Sequence, residues 1–493
     1  MLKAEEIKKF IDADETSEKK KQAKKGQAYY EGEHDIKNYR VFYYDKDGVP
    51  VEDTTRSNVK ISHPFFTELT DQTTQYILSG KDGFIKSDIP ELQAELDAYF
   101  NENEDFTAEL SELITDCQIK GFAYMHSYKD KDNKTAFHCA DAIGVVEVEA
   151  RFASDKKDHV LYWYIDRIDK DDKRIKRIMD WEDAQVSFYV QVDDGQIKLD
   201  ANEPVNPKPH TLYKKKGKEG FFRKKTTIGE IPFYRIDNNK KQTSNLKPIK
   251  PLIDDYDLMS CGLTNNIQDA AEYLVVVSGF QGDDMEELMQ NTRTKKHIGV
   301  DEGGDVDFKT VDIPYEARKV KLELDEKNIY RFGMGLNTSG LKDTSATTNI
   351  AIKAAYSLLD LKATKLEIKI KQLLRKLIKV VLQEINEANK TDYQMSNVYI
   401  EFIHEVMSNE QENATIAHVQ AQEQQVRINT LLSLATQLDN ETLMQNICEV
   451  LDIDYEEIKD KLPDPDEAEN AMKDAQGVLN SIPDEEGEVI EEV

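Results

Sequence analysis

Apolar side chains recur at intervals of three and four along most of this chain, and the interval shortens to two in a single central region. The first pattern predicts helices and the second a half-buried sheet. Residues 4–30 read as one charged helix ending near Tyr29-Tyr30-Glu31-Gly32. Val41-Phe42-Tyr43-Tyr44 followed by Asp45-Lys46-Asp47-Gly48 predicts a hairpin. Between Ser62 and Leu78, Phe65, Phe66, Leu69, Tyr76 and Ile77 recur at helical spacing, and Gly80 closes that helix. Helices continue from Pro90 to Ile119. Alternation then takes over in Phe122–Tyr128, Val145–Val148, His159–Ile168, Ile175–Trp181, Val186–Val192 and Gln196–Leu199, with turns such as Asp171-Asp172 and Asp193-Asp194-Gly195 between them. A mostly antiparallel β region inside a helical chain makes the class α+β.

After an extended stretch at Ile231-Pro232-Phe233-Tyr234 and a loop from Asn238 to Lys247, Pro251 suits the first turn of a helix. Leu252, Tyr256, Met259, Leu263, Ile267, Ala270, Ala271 and Leu274 carry the helical stripe on to Ser278-Gly279. A short mixed insert follows: an acidic helix at Asp283–Asn291, then His297–Val300, a Gly303-Gly304 turn and Val306–Val311 as a hairpin. Ile313-Pro314 opens a second helix ending at Arg331-Phe332. Gly333 to Thr348 is a Gly/Ser/Thr-rich loop, and Asn349 to Ala388 reads as a single helix of about 40 residues, roughly 60 Å long. Such a helix needs a large surface to lie against, because propensity alone stabilises it little. A pliable segment between two struts implies a part that moves while its base stays fixed. Residues 409–462 are helical again, and 463–493 are acidic, aperiodic and expected to be disordered.

On the long helix, Leu366, Ile370, Leu373, Leu377, Val381 and Ile385 form one seam, widened by Leu374, Ile378 and Leu382. Lys362, Lys365, Lys369, Lys376 and Lys379 lie off it. The plain reading is an amphipathic helix on a core with a solvated basic face; the others are lysines meeting acids of another copy of the chain, and direct contact with DNA.

Charge narrows the function. The 493 residues hold 65 Lys and Arg against 95 Asp and Glu, a net charge of −30. A free-standing nucleic-acid binder needs cations to displace counterions, so either nucleic acid is irrelevant to this chain or the chain meets it without gripping it. No apolar run approaches the about 20 residues of a membrane span, and the acidic start Met1-Leu2-Lys3-Ala4-Glu5-Glu6 is unlike a signal peptide, which suggests a cytoplasmic chain. Cys117, Cys139, Cys261 and Cys448 fit no zinc spacing and read as reduced thiols. There is no phosphate-binding Gly-x-x-x-x-Gly-Lys-Ser/Thr, no His-Glu-x-x-His and no Gly-x-Ser-x-Gly. Asp254-Asp255-x-Asp257 is the most suggestive carboxylate cluster before the tail. A solvated or interface-facing acidic face explains it more simply than a two-metal nuclease using Asp254 and Asp257. His63, His126 and His138 sit in aromatic company and read as structural. The residues themselves thus indicate a non-enzymatic, multi-domain protein without cofactor or metal.

A set of pieces in order carries a resemblance. They are Tyr29-Tyr30-Glu31-Gly32-x-His34-Asp35-Ile36, Asn58-x-Lys60-Ile61-Ser62-His63-Pro64-Phe65, and Asp71-Gln72-x-x-Gln75-Tyr76-Ile77-Leu78-x-Gly80. Lys120-Gly121-Phe122-Ala123-Tyr124, Ile231-Pro232-Phe233, Ser244-x-Leu246, Leu252-Ile253-Asp254-x-Tyr256-Asp257 and Tyr356-x-Leu358-Leu359-Asp360-Leu361-Lys362-Ala363 follow. The chain resembles the portal proteins of tailed double-stranded DNA bacteriophages, of the type found in long-tailed phages of Gram-positive bacteria. The resemblance implies a portal-type fold closed into a dodecameric ring at one capsid vertex: a wing (1–240), a stem helix (241–278), a clip (279–312), a second stem helix (313–332), a channel loop (333–348), a long kinked helix returning to the wing (349–399), a helical crown (400–462) and the acidic tail (463–493). It implies DNA passing the loop residues Asn337, Thr338, Ser339, Gly340, Lys342, Thr344 and Ser345. Arg293, Lys295, Lys296, His297, Asp305 and Asp307 of the clip would dock the terminase large subunit and later the head-completion or adaptor proteins. Scaffold and major capsid protein would be further partners, and the virion, assembled in the host cytoplasm, the location. Competing readings are a head–tail adaptor, the nuclease above, and a helical scaffold with no nucleic acid.

Overall fold

The computed structural model describes residues 2–54, 56–80, 83–132, 134–150, 153–168, 173–183, 185–193, 195–209, 213–214, 221–222, 231–269, 274–280, 300–309, 315–337, 349–404, 410–434 and 440–450. The chain divides into two compact units, one of residues 1–346 with 350–406 and one of 347–349 with 407–493.

In the first unit, α1 (Ala4–Glu15) and α2 (Glu18–Tyr30) replace the single helix expected over 4–30. The break is local chemistry: the Ser17 hydroxyl accepts from the Lys20 amide and caps a new helix. The hairpin forms as β1 (Phe42–Tyr44) and β2 (Pro50–Glu52), in antiparallel register. Then come α3 (Phe65–Ile77), β3 (Ile85–Lys86), α4 (Pro90–Leu96), a π-helical turn (Asp97–Asn101) and α5 (Glu104–Lys120).

The β region runs β4 (Phe122–Lys129), β5 (Thr135–Ala140), β6 (Val145–Ala150), β7 (Ala153–Ile168), β8 (Arg174–Trp181), β9 (Gln185–Val192) and β10 (Lys198–Leu199). Short strands β11 (Lys208–Pro209), β12 (Tyr213–Lys214) and β13 (Phe221–Phe222) precede β14 (Phe233–Asp237). Strands β6 to β10 form an antiparallel meander, with β11 also on β9, while β14, β4 and β5 make a second sheet in the order β14-β4-β5. Strand β5 had no sequence signal of its own. It is short and mixed in character, and β4 supplies the pairing that defines it, from Tyr124 opposite Ala140 to Lys129 opposite Thr135.

α6 (Lys250–Asp269) ends earlier than its stripe suggests, and Leu274 begins β15 (Leu274–Phe280). The run Val275-Val276-Val277 explains this, since β-branched side chains suit a pleated strand better than a helix. The second insert strand is not a small hairpin around Gly303-Gly304 but one continuous β16 (Val300–Lys309) paired antiparallel with β15. The acidic helix expected at 283–291 lies outside the described residues. α7 (Tyr315–Gly333), α8 (Asn349–Asn389) and β17 (Tyr399–Ile400), which pairs with β3, complete the unit. The second unit contains α9 (Glu410–Ser433) and α10 (Asn440–Val450), packed on one another. The acidic tail lies outside the described residues.

The long helix behaves as its pattern predicts. All nine seam residues, from Leu366 to Ile385, are buried, in one core with Leu92, Leu96, Phe100, Leu110, Leu113 and Ile114 of the α4–α5 layer. Lys365, Lys369, Lys376 and Lys379 are exposed. Lys362 is the exception: it is half-buried, and burial pushes its amine down to about 8. All four cysteines are free thiols. Because Leu377 is fully buried at the centre of the seam, Leu377→Ala should lower the unfolding free energy by about 2–5 kcal/mol. Chemical denaturation of the purified protein measures this.

Candidate functional site

Two constructions in the first unit bear on function, and both use residues from the resembling pieces. The first is a buried polar hub on α6. Its residues come from three distant stretches: Tyr29, His34 and Asp35; His63; and Lys250, Asp254 and Asp257. Asp257 is completely buried, and its two carboxylate oxygens face the Nδ1 atoms of His34 at 2.6 Å and His63 at 2.7 Å. The His63 amide also donates to it, at 3.0 Å. His34 stacks on the Tyr29 ring, with centroids 4.5 Å apart, and its Nε2 lies 3.1 Å from the Tyr29 carbonyl. Burial opposes ionisation of Asp257, but hydrogen bonds from His34 and His63 outweigh it and hold the carboxyl below its ordinary value.

Beside this trio the Tyr29 hydroxyl donates to Asp254, and Lys250 bridges Asp254 at 2.6 Å and Asp35 at 2.7 Å. Burial opposes ionisation of Asp35 too, yet Lys25 and Lys250 bring its carboxyl down to about 2. Asp255 instead pairs with Lys321 of α7. Of the acidic face expected at 254–257, solvated or interface-facing, Asp257 is instead buried, while Asp254 and Asp255 are partly exposed and paired within the chain. The arrangement gives the nuclease reading no support: the three carboxylates are committed to three different sets of cationic or hydrogen-bonding partners, and none belongs to a converging group of three metal-ligating side chains among the described residues. His126 has the aromatic company expected, stacked on Phe233 at 4.4 Å, and so has His63 beside Tyr256 at 4.8 Å. His138 meets the Glu109 carboxylate at 3.2 Å instead.

The second construction is the root of the 338–348 segment. At the end of α7 the chain reverses through Met334, whose φ is 55°, and the Gly335 amide returns to the Tyr330 carbonyl. Leu336 is buried and clamped at both backbone groups by one side chain. Gln72 of α3 donates to its carbonyl and accepts from its amide, each at 3.0 Å. The backbone passes so close to α3 that a Cβ on Gly335 would lie 2.0 Å from a Leu69 methyl, so any larger residue there would have to displace the Leu69 side chain. Tyr330 donates to Glu68 at 2.7 Å. On the far side of the segment, Lys362 of α8 donates to the Leu69 carbonyl at 3.3 Å and the Tyr76 hydroxyl meets Asp360 at 3.3 Å. Both struts are therefore fastened to one helix, α3. Lys362 also lines a cavity of about 150 Å³ with Lys365, Asn238, Asn239, Asn245 and Phe332.

Of the loop residues expected to meet DNA, Asn337 stands at the root, with its side-chain amide 3.5 Å from Glu326. Thr338, Ser339, Gly340, Lys342, Thr344 and Ser345 lie outside the described residues, as do Arg293, Lys295, Lys296 and His297 of the insert. Asp305 and Asp307 are exposed on β16, opposite Ser278 and Val276. Nothing in the local pattern signals that Tyr29, His34, His63, Asp254 and Asp257 converge in the hub, or that Gln72 and Tyr76 anchor the two struts. No described helix is long and apolar enough to cross a membrane.

The family model described as "Phage portal protein, SPP1 Gp6-like" matches residues 8–464. The portal protein of Bacillus phage SPP1 is 27% identical over 375 residues, covering 75% of this chain and 71% of that protein. The portal protein of Clostridium phage phiCD119 is 26% identical over 435 residues, covering 84% and 89%.

The hub makes a pH prediction. Asp257 and Asp35 titrate lower in the folded than in the unfolded chain, so the unfolded chain binds more protons in acid. Their contribution should be complete above about pH 4, the ordinary carboxyl value, and be lost as pH falls through the folded values. Asp257→Ala, which leaves the buried His34 and the partly exposed His63 without their shared carboxylate, should cost about 3–5 kcal/mol. Denaturation curves from pH 7 down to pH 3 test both: the wild type weakens toward acid, and the variant starts weaker and depends less on pH.

Proposed function

The chain belongs to the SPP1 Gp6-like phage portal proteins, and from that premise we propose that it closes into a ring, a dodecamer in the capsid, with DNA passing along the axis beside segment 338–348. The observation that carries the ring is a set of apolar side chains left in water on the two struts. On α7, Val320 is 60% exposed, with Leu324 and Phe332 also exposed. On α8, Leu361 is 60% and Ile368 55% exposed, on the side away from the buried seam. These are helical neighbours at spacings of four and seven, a second stripe that a lone copy does not cover. Adjacent copies in a ring would cover it.

In this reading residues 1–240 form the wing, β15 and β16 with the intervening insert form the clip, 400–462 form the crown, and the loop residues from Asn337 to Ser345 face the duplex. The clip would receive the terminase large subunit during packaging and head-completion or adaptor proteins later, with scaffold and major capsid protein around the wing. The protein would itself be no enzyme. Its place would be the virion vertex, after assembly in the host cytoplasm.

The acidic balance then has a mechanical use. A ring of chains each carrying −30 repels a duplex from all sides. Screening confines that repulsion to about 8 Å from the wall at physiological salt. A rod is thus centred without being held, and the yielding polar loop touches phosphates one at a time. A cationic channel would instead bind through counterion release and stall the rod.

Two outcomes test the reading. Leu361→Glu combined with Ile368→Glu should leave a folded monomer by circular dichroism and abolish the annulus in negative-stain images and mass measurements; intact rings would count against the stripe as an interface. Replacing Asn337, Thr338 and Ser339 by arginine should preserve rings yet slow or arrest DNA packaging in a motor assay. Unchanged packaging rates would remove the centring mechanism.

A further inference from the structure

We infer that His159, Asp180 and Glu182 form a binding site for one divalent transition-metal cation of the zinc type, set in the β6–β10 sheet and independent of ring formation. Strand pairing brings them together. Leu161 of β7 lies opposite Asp180 of β8, and Val160 opposite Trp181. Alternation then places His159, Leu161, Asp180 and Glu182 on one face of the sheet. The ligating atoms of the three side chains lie within 4.8 Å of one another, the one such group of three among the described residues. His159 Nδ1 is 2.7 Å from Asp180 Oδ1 and 3.9 Å from Glu182 Oε1.

A tetrahedral ion with bonds of about 2.1 Å separates its ligands by about 3.4 Å. The two His159 separations lie on either side of that value, and all three ligating atoms stay within 4.8 Å of one another. The set is one imidazole nitrogen and two carboxylate oxygens, which suits zinc or a neighbouring divalent ion better than magnesium. His159 and Glu182 are partly exposed, so water completes the coordination from solvent.

The surroundings also fit. Each carboxylate has its other oxygen tied down while the ligating oxygen faces the centre. Asp180 Oδ2 accepts from the Leu2 amide at 3.0 Å, and Glu182 Oε2 accepts from the Gln185 side chain at 3.0 Å. Outer partners of this kind fix ligand orientation in metal sites. Asp180 is fully buried, and the Tyr189 hydroxyl holds the Leu2 carbonyl at 2.9 Å. A bound ion would therefore brace β7 and β8 and, through Asp180, the start of the chain. In the bound form the His159 Nδ1 lone pair faces the ion and the neutral imidazole carries its proton on Nε2.

Zinc titration of the full-length protein against a chromophoric chelator, in millimolar Mg²⁺ to occupy the acidic tail, tests the site. The expected result is one zinc per chain, with affinity falling more than tenfold in His159→Ala and in Glu182→Gln. Cobalt should give visible absorption bands in the wild type that both variants lose. Circular dichroism checks folding, and the partly exposed Glu182 provides the variant least able to disturb it. No stoichiometric zinc, or zinc and cobalt signals unchanged in folded Glu182→Gln, would overturn the inference and leave the trio as an ion pair with a neighbouring acid.

Discussion

The first unit depends on the fastening of both ends of residues 338–348 to a single helix. Successive turns of α3 present Glu68, the Leu69 carbonyl, Gln72 and Tyr76, and these hold Tyr330, Lys362, Leu336 and Asp360 respectively. A backbone amide and carbonyl buried at Leu336 would be costly unpaired, and one glutamine satisfies both. Helix α3 is itself set in two cores, with Phe66 and Leu69 in one and Tyr76 and Ile77 in the other.

The α6 hub solves a related problem by electrostatics. Residues separated by about two hundred positions meet at Asp257, and the meeting is specified by charge and donor geometry rather than by shape alone. Such a network discriminates against misregistered packing, since a shift of one residue would leave a buried carboxylate or imidazole unmatched. Its partners on α7, where Lys321 spans Asp255 and Asp325, extend the same logic to the pairing of the struts. The C-terminal side is tied in likewise, with His404 stacked on Tyr76 at 4.4 Å and its Nε2 2.7 Å from the buried Glu367 of α8.

Strong negative charge and a tightly neutralised interior coexist because they occupy different places. Buried acids are partnered: Asp325 by Lys321, Glu367 by Lys371, and Asp257 by the imidazoles of His34 and His63. The excess charge stands in water, where repulsion costs little per residue but acts on any polyanion brought close. A protein that had to bind DNA tightly would have spent its exposed lysines differently.

Sequence alone was enough for α8, down to the nine buried positions of its seam, because a 3.6-residue period sustained over so many residues has one physical solution. It was enough also for the antiparallel β region, for the hairpin at 42–52 and for the two struts around a polar segment, whose signals are equally local. The end of α6 at Asp269, the continuous β16, the strand β5 and the role of Asp257 were decided by tertiary structure. In each the deciding partner lies far along the chain: β15 for β16, β4 for β5, and His34 and His63 for Asp257. An aspartate on a helix looks solvated until folding brings two imidazoles to it, and no periodicity within α6 records the arrival of residues from outside it.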